Sequence, residues 1–137
     1  MINFTTIATL IACLYWNTAP QAVCSWYGQS WDGNLTASGV VYDCSEISVA
    51  HKTLPLGTIV RFHNGVTWLD CRVEDRGPYV DGRDFDLSEA AADSLGDLDD
   101  GVYTLRYRII GRDTQGLVWN LGENDEAACE RERLDRW

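Results

Sequence analysis

Short β-rich segments, each bounded by Gly, Asn or Asp, are the feature of this chain that most limits its fold. Runs of β-branched and aromatic residues predict strands at residues 23–27, 40–42, 58–63, 67–73, 102–110 and 117–120. Asn64-Gly65 lies between two of them and is a strong hairpin signal. One helix is predicted at Glu89–Leu95, where Ser88 can cap the first turn and Gly96 can end the last. The pattern predicts a mostly β fold, a small closed six-stranded barrel with one short helix.

The charge of the chain narrows the classes of partner. Its 137 residues predict one domain and carry a formal net charge of −10. An acidic protein is a poor ligand for nucleic acid, whose phosphates demand a basic surface, and for an anionic membrane. Six Trp and six Tyr exceed what a small core needs, and aromatic faces pack well on sugar rings. We therefore expect a monomer that binds an uncharged or mixed-charge polymer.

Residues 1–22 have the composition of a targeting segment. An apolar, uncharged run is followed by Ala19 and Ala22, which predicts a secretory signal removed near Ala22. Leu10-Ile11-Ala12-Cys13 is also similar to a lipobox, which would place a lipid on Cys13 and make an outer-membrane lipoprotein. An uncleaved anchor is the third alternative, although the apolar run is short for a membrane span. We expect an exported protein, periplasmic, wall-associated or secreted, with no stable membrane partner unless Cys13 is lipidated.

Four cysteines remain once residues 1–22 are removed: Cys24, Cys44, Cys71 and Cys129. An even number in a small exported chain predicts two disulfides, with three pairings open. Of these we favour Cys24–Cys129, which would tie the tail to the first strand, and Cys44–Cys71, which would tie the loop before His51 to a barrel strand. Zinc is the competing interpretation, but the spacings contain no C-x-x-C pair. We expect no metal and no cofactor.

The last segment, residues 123–137, is dense in Glu and Arg. Opposite charges four residues apart, such as Glu132 and Arg136, are typical of a solvated helix. The chain thus divides into a signal segment (1–22), a barrel (23–122) and a charged tail (123–137), and the tail is given no role beyond packing.

Three motifs follow one another in the middle of the chain. They read A-H-K-T-L-P-L-G-T at 50–58, E-D-R-G-P-Y at 74–79 and G-R-D-F-D-L-S-E-A-A-A at 82–92. With S-W-Y-G at 25–28 and T-A-S-G at 36–39, they resemble the rare lipoprotein A (RlpA-like) family over residues 23–111. The resemblance implies a double-psi β-barrel that acts on peptidoglycan glycan strands. In a lytic transglycosylase the sugar's own 6-hydroxyl attacks, so one carboxyl group can serve first as acid and then as base.

Asp86 is the first candidate acid. Asp84-Phe85-Asp86-Leu87-Ser88 resembles the His-Phe-Asp-Leu-Ser stretch of expansins and expansin-like endoglucanases, whose Asp is the catalytic acid, with Asp84 in place of His. Two carboxylates two residues apart on a strand share one face, and their crowding favours a proton on one of them. The alternative is that Asp86 caps the helix that follows.

Asp75 is the second candidate acid. It lies in a stretch that resembles the family's Asn-Asp-Arg-Gly-Pro motif, with Glu74 in place of Asn. The resemblance implies a position in the active groove. The alternative is a structural ion pair of Asp75 with Arg76 or Arg83 that holds a turn.

Two further residues are implied by the motifs. Asp43 follows Ser38-Gly39 at the family's spacing, although beside Cys44 it could simply shape a loop. His51 lies in the clearest of the motifs and could hydrogen-bond the saccharide or the acid. His63 has no such context and is predicted to be an exposed turn residue.

Sugar binding is predicted for residues near the motifs. Trp26 and Tyr79 are the favoured aromatics, with Trp31, Tyr42 and Tyr27 as alternatives, and Arg76 and Lys52 are the favoured cations. These side chains would line a groove beside the acids.

Val40 departs from the family pattern, because the family usually has Glu directly after the Ser-Gly. Glu46 is a poor replacement, since its side chain need not reach the same place. Two hypotheses follow. His51, Asp75 and Asp86 favour an exported peptidoglycan lytic transglycosylase, whereas Val40 favours a non-catalytic, expansin-like module that binds or loosens the wall. A secreted inhibitor on the same type of barrel has no supporting sequence feature.

Overall fold

The computed structural model describes residues 4–96 and 98–115. Within these described residues the chain forms two α-helices, six strands and two short 3-10 turns. In chain order these are α1 (Phe4–Asn17), β1 (Gln21–Tyr27), a 3-10 turn (Gln29–Trp31), β2 (Ser48–His51), β3 (Thr58–His63), β4 (Trp68–Asp75), β5 (Phe85–Ser88), α2 (Glu89–Leu95), a 3-10 turn (Leu98–Asp100) and β6 (Val102–Arg112).

The six strands form one closed barrel in the order β1-β5-β2-β4-β3-β6. Two neighbouring pairs, β1 with β5 and β2 with β4, are parallel, and the other four are antiparallel. Closure leaves no unpaired strand edge in this sheet. The predicted fold class, a mostly β six-stranded barrel, is confirmed.

The barrel core follows the two-residue period of its strands. On β3 every second side chain is buried, and Val60 and Phe62 point inward. The rings of Phe62 and Phe85 meet edge to face at 5.1 Å between centroids. Complete burial of such a side chain stabilises the fold by roughly 1.5–3 kcal/mol, so this interior holds the strands whose ends carry the candidate site.

Local sequence signals predict some elements better than others. β3 and α2 have the predicted bounds, Ser88 Oγ accepts the Ala91 N–H at 3.3 Å, and Gly96 ends α2. Residues 40–42 form no strand and contribute only an isolated bridge between Leu35 and Val41. β2 was not predicted, because its first three residues are all buried and show no alternation. The predicted strand at 117–120 and the tail at 123–137 lie outside the described residues.

The predicted signal segment overlaps the fold. Its helix α1 carries no buried side chain, and Arg108 joins it to the barrel through a hydrogen bond of 2.6 Å to the Tyr15 carbonyl. The same guanidinium lies 3.8 Å from the centroid of the Tyr15 ring. Among the described helices, none combines the length and the apolar character needed to cross a membrane. Because β1 begins at Gln21 and Ala22 pairs with Leu105, cleavage after Ala22 would remove two residues of a barrel strand.

The predicted Cys44–Cys71 disulfide is wrong, since Cys44 and Cys71 are free thiols. Cys71 points into the core from β4 and is 0 % exposed. Cys44 lies on the surface, where its thiol donates to Asp32 Oδ2 at 3.2 Å. Cys24 is also a free, fully buried thiol, and its predicted partner Cys129 lies outside the described residues.

These environments predict the order in which the thiols react. Burial raises the pKa of Cys24 to about 12, and the hydrogen bond to Asp32 is the main cause that raises the pKa of Cys44 to about 11. The thiolate is the nucleophile, so iodoacetamide at pH 8 is expected to label exposed Cys13 first. Only about one Cys44 thiol in a thousand is ionised at this pH, so Cys44 should react about a thousandfold more slowly than a fully ionised thiol. Buried Cys24 is expected to react only after unfolding. Peptide mass spectrometry over time measures the order.

Asp32→Asn is the matched control for this prediction. It removes the carboxylate beside Cys44 without touching the core, so only Cys44 is expected to react faster. Equal native labelling of Cys24 and Cys13 would contradict the buried position of Cys24.

Candidate functional site

A pocket of about 230 Å³ opens where β1 and β4 end. Four aromatic side chains, one acid and one base are among its lining residues: Tyr27, Trp31, Asn34, Leu35, Thr36, Tyr42, Ala50, Asp75, Arg76 and Tyr79. Trp31 is 57 % exposed and Tyr79 is 85 % exposed, so both present ring faces to solvent at the rim. Aromatic walls around a few polar groups are typical of small-molecule and sugar sites.

Two of the predicted acids flank one small residue of β2. Ala50 pairs with Asp86 of β5 on one side and with Asp75 of β4 on the other. Adjacent strands lie about 4.8 Å apart, so the Cα atoms of the two acids are roughly 10 Å apart. Ala50 is 3 % exposed and lines the pocket together with Asp75.

A β-bulge creates this arrangement. Val49 pairs with Val73, but the next residue of β2, Ala50, pairs with Asp75, so Glu74 is the extra residue in β4. Without the extra residue, Glu74 and not Asp75 would lie beside Ala50. Bulges commonly re-aim a side chain next to a site, and here the bulge brings Asp75 into the pocket.

Asp75 is held by the backbone of a neighbouring loop. Its Oδ1 accepts the Ala37 N–H at 2.9 Å and the Arg76 N–H at 2.8 Å. The Ser38 N–H donates to the Glu74 carbonyl at 2.9 Å, which fixes the same loop on β4. Asp75 Oδ2 makes no hydrogen bond within the described residues, so this oxygen is available to a ligand.

Asp86 lies in register with Ala50, as Asp75 does on the other side, but its side chain contacts β1. Its Oδ1 accepts the hydroxyl proton of Ser25 from β1, and among the described residues it does not line the pocket. Asp84 precedes β5, and its Oδ2 accepts the Val23 N–H at 2.8 Å. The alternative role of Asp86 as a helix cap is wrong, because Ser88 caps α2.

His51 ends β2, directly after Ala50. Its Nδ1 accepts the backbone N–H groups of Thr53 at 3.1 Å and Leu54 at 2.9 Å, which places the ring proton on Nε2. Burial, and then the charge of Arg76, lowers the pKa of His51. The imidazole is therefore neutral at pH 7 and can donate one hydrogen bond from Nε2.

Arg76 joins the pocket to the loop after β2. Its Nη1 donates to the carbonyl of Leu54 at 3.0 Å and to that of His51 at 3.4 Å. The side chain thus holds a positive charge between His51 and the pocket that it lines.

Tyr27 is one of the alternative aromatics that the sequence predicted for sugar binding, and it lines the pocket. Its hydroxyl is buried beside that of Ser48 and makes no hydrogen bond of normal geometry in the described chain. Burial is the largest cause that raises the pKa of Tyr27, and the charges of Asp75 and Asp86 raise it further. The phenol therefore stays protonated, and a buried donor without a partner is available to a ligand. The S-W-Y-G motif was the only signal that pointed to it.

Three predicted site residues lie elsewhere. Asp43 is exposed and accepts the Ser45 N–H at 2.8 Å and hydroxyl at 2.6 Å, bonds that lower the pKa of Asp43. Trp26 packs on the core, and its Nε1 donates to the Leu98 carbonyl at 3.2 Å. Lys52 is exposed, and among the described residues it does not line the pocket.

Val40 lies in the loop that holds Asp75. Its carbonyl accepts the Thr36 N–H and the Thr36 hydroxyl, both at 2.8 Å. The side chain is half-exposed, so this position presents an apolar group where the family usually has a carboxylate.

One exposed cluster offers ligand atoms that a cation could use. Potential ligand atoms of Asp32, Asp43 and Cys44 lie within 4.8 Å of one another. Among the described residues none of the three lines the pocket, so the cluster has no part in the chemistry considered below.

Comparison with known proteins identifies the family. A family model described as lytic transglycolase, with a double-psi β-barrel, matches residues 20–107. The endolytic peptidoglycan transglycosylase RlpA of Vibrio cholerae is 43 % identical over 89 residues, which cover 63 % of this chain and 34 % of that protein. Its counterpart from Pasteurella multocida is 39 % identical over 102 residues, which cover 73 % of this chain and 35 % of that protein. The chain spans about a third of the length of these curated relatives.

Solved structures agree on the fold. An expansin mutant of Clavibacter michiganensis in complex with cellohexaose matches with a TM-score of 0.57 at 16 % identity, over 69 % of this chain and 51 % of that one. A Streptomyces papain inhibitor matches with a TM-score of 0.53 at 26 % identity, over 66 % of this chain and 94 % of that one. Because the family model covers more than half of the chain, the protein belongs to the RlpA-like lytic transglycolase family of double-psi β-barrels.

Proposed function

We propose that this barrel cleaves the glycan strands of peptidoglycan as a lytic transglycosylase. The observation that carries the proposal is the position of Asp75, which has one fixed oxygen and one free oxygen inside an aromatic-walled pocket. The names of the relatives support the same substrate. A single well-placed carboxyl group is sufficient for this reaction, since it needs no separate group to activate water.

In the proposed mechanism Asp75 acts twice. Its protonated carboxyl donates to the bridging oxygen as the bond from that oxygen to the sugar C1 breaks. The 6-hydroxyl of the same sugar then bonds to C1 and returns its proton to Asp75. The products are a new free hydroxyl end and a 1,6-anhydro end, no water is consumed, and the acid is restored.

The neighbours of Asp75 would position the sugar. Trp31 and Tyr79 at the rim would stack on ring faces, and the buried Tyr27 hydroxyl would donate to a sugar oxygen that replaces its missing partner. Arg76 would stabilise the negative charge that Asp75 carries after its first proton transfer.

One observation favours a non-catalytic alternative. Val40 stands in the loop that holds Asp75, where a second carboxyl group would otherwise be expected. A barrel with this change could bind glycan and loosen the wall without cutting it, and the solved expansin complex with cellohexaose supports saccharide binding by this fold.

Digestion of purified sacculi tests the proposal. The full chain is expected to release soluble fragments with 1,6-anhydro ends, which mass spectrometry distinguishes from hydrolysed ends by the absence of one water. Asp93→Asn, an exposed change on α2 away from the pocket, is the matched control and is expected to cut equally well. Glycan binding without any release of fragments would support the non-catalytic alternative. If the protein neither binds nor releases glycan, both the lytic transglycosylase and the binding module are excluded.

We also propose that the protein is exported, since its proposed substrate lies outside the cytoplasm. Residues 1–22 would direct export, by cleavage ahead of β1 or by lipidation at Cys13. The intact mass of the processed protein distinguishes these routes, because a lipid adds several hundred daltons or more to Cys13. A mature chain that begins at Val23 would show that the barrel closes without Gln21 and Ala22.

A further inference from the structure

The T-A-S-G motif at 36–39 forms a tight turn that contains two buried hydroxyl residues. Thr36 is 6 % exposed and Ser38 is 1 % exposed, whereas Ala37 between them is exposed. The Thr36 N–H donates to the Val40 carbonyl at 2.8 Å, which closes the turn. Burial of a hydroxyl group is costly unless the group is hydrogen-bonded, so the partners of these two groups indicate why the loop carries them.

The two hydroxyl groups form a hydrogen-bonded chain with a fixed direction. Thr36 Oγ1 donates to the Val40 carbonyl at 2.8 Å and lies 2.9 Å from Ser38 Oγ. A hydroxyl group has a single proton, and that of Thr36 is used on the carbonyl, so Ser38 is the donor in the second bond. We call the chain from Ser38 to Thr36 to Val40 the hydroxyl brace. It adds a side-chain bond to the backbone bond that already joins Thr36 to Val40, so it stabilises the closed turn.

The braced turn carries the amide that binds the proposed acid. The Ala37 N–H donates to Asp75 Oδ1 at 2.9 Å. The next N–H, that of Ser38, donates to the Glu74 carbonyl at 2.9 Å. Two successive amides of the turn therefore bind two successive residues of β4, and the position of the turn determines where Asp75 Oδ1 is held.

We propose that Thr36 and Ser38 are positioning residues for Asp75, because the hydroxyl brace holds the Ala37 N–H on Oδ1 and leaves Oδ2 free in the pocket. The proposal rests on the proposed function, which makes Asp75 the acid. Both hydroxyl protons are already used within the turn, so neither residue is a donor to the substrate. A displacement of about 1 Å in a reacting group can lower a rate by about a hundredfold, so a loosened turn should lower turnover more than glycan binding.

Two substitutions at Thr36 separate the hydroxyl group from the shape of the side chain. Thr36→Val removes the hydroxyl group at nearly constant volume and leaves the buried Ser38 proton without its acceptor. Thr36→Ser keeps the hydroxyl group and loses only a methyl group. In the full chain, Thr36→Val is expected to lower the release of anhydro-ended fragments from sacculi about tenfold at unchanged glycan affinity, whereas Thr36→Ser retains most of the rate. Ser38→Ala should fall between them, since Thr36 can still donate to Val40.

Hydrogen exchange followed by 15N NMR measures the hydroxyl brace in the absence of substrate. The Ala37 amide is expected to exchange about tenfold faster in Thr36→Val than in wild type or Thr36→Ser. Thr58→Val is the matched control, because Thr58 is also buried, its hydroxyl donates to the Pro55 carbonyl at 2.6 Å, and it is not among the described residues that line the pocket. Thr58→Val should change neither the Ala37 exchange nor the turnover.

The two measurements separate this proposal from the proposed function. Faster Ala37 exchange in Thr36→Val at full turnover would overturn the positioning role and leave Asp75 as the acid. Unchanged Ala37 exchange in both Thr36→Val and Ser38→Ala would overturn the brace itself. Equal loss of turnover in Thr58→Val and Thr36→Val would reduce the effect to lost stability and also overturn the proposal. If wild type releases no fragments, the proposed function fails and the positioning role fails with it, whatever the exchange of Ala37 shows.

Discussion

Asp75→Asn is expected to abolish the release of anhydro-ended fragments from sacculi while glycan binding persists. The amide keeps the size of the side chain, and its oxygen can still accept the Ala37 and Arg76 N–H groups at about 2.9 Å and 2.8 Å. It cannot act as a proton donor and then as a base. General acid–base catalysis contributes roughly 10²–10⁴-fold in rate, so turnover should fall by at least that lower factor. Quantitative mass spectrometry of the fragments measures the fall.

Asp86→Asn is the informative companion variant. Asp86 accepts a hydrogen bond from Ser25 and is not among the described residues that line the pocket. The motif had nevertheless made it the first candidate acid. We expect Asp86→Asn to retain most of the turnover and to weaken the contact between β1 and β5. If Asp86→Asn removes turnover and Asp75→Asn does not, the assignment of the acid is reversed.

The parts of the fold that sequence predicted are those with local signals. The Asn64-Gly65 turn marks β3, and the Ser88 cap with Gly96 marks α2, because each signal depends on neighbouring residues alone. β2 lacks such a signal, since three of its four residues are buried through tertiary contacts. The residues that occupy 40–42 have strand-like composition but pair only through one isolated bridge. Strand propensity describes a fit to neighbours, which one segment cannot specify.

The candidate site also has residues that the sequence predicted and features that only the fold determines. Asp75, Arg76 and Tyr79 lie in one contiguous motif and do line one pocket. The bulge at Glu74 places Asp75 beside Ala50, and no residue type in this stretch of sequence indicates a bulge. The direction of Trp26 into the core and the buried, unpaired hydroxyl of Tyr27 likewise depend on contacts across the barrel.

The disulfide prediction shows what the number of cysteines alone cannot establish. An even number suggested two bridges, but the alternation of β4 points Cys71 inward while Cys44 lies on a surface loop. A disulfide needs Cα atoms within about 7 Å and Cβ atoms that face each other. Composition carries no information on either condition.

Val40→Glu is expected to raise the cleavage of sacculi by about tenfold or more, since it adds a second carboxyl group near the first. Val40 ends the loop whose Ala37 N–H binds Asp75, and its own backbone is already fixed by Thr36. A Glu side chain there could reach the pocket without moving the loop. Two neighbouring carboxylates favour a proton on one of them, which is the state a general acid requires.

The stability cost of this substitution should be small, because Val40 is half-exposed and the new carboxylate can reach water. We expect a loss of about 1 kcal/mol in the free energy of unfolding, measured by denaturant titration. Val41→Glu is the matched control, since Val41 is adjacent, 54 % exposed and not among the described residues that line the pocket. A gain in cleavage with Val40→Glu alone means that the missing carboxyl group limits this barrel. Equal rates for wild type and both variants would mean that Asp75 works without a second acid and that position 40 lies outside the reacting site.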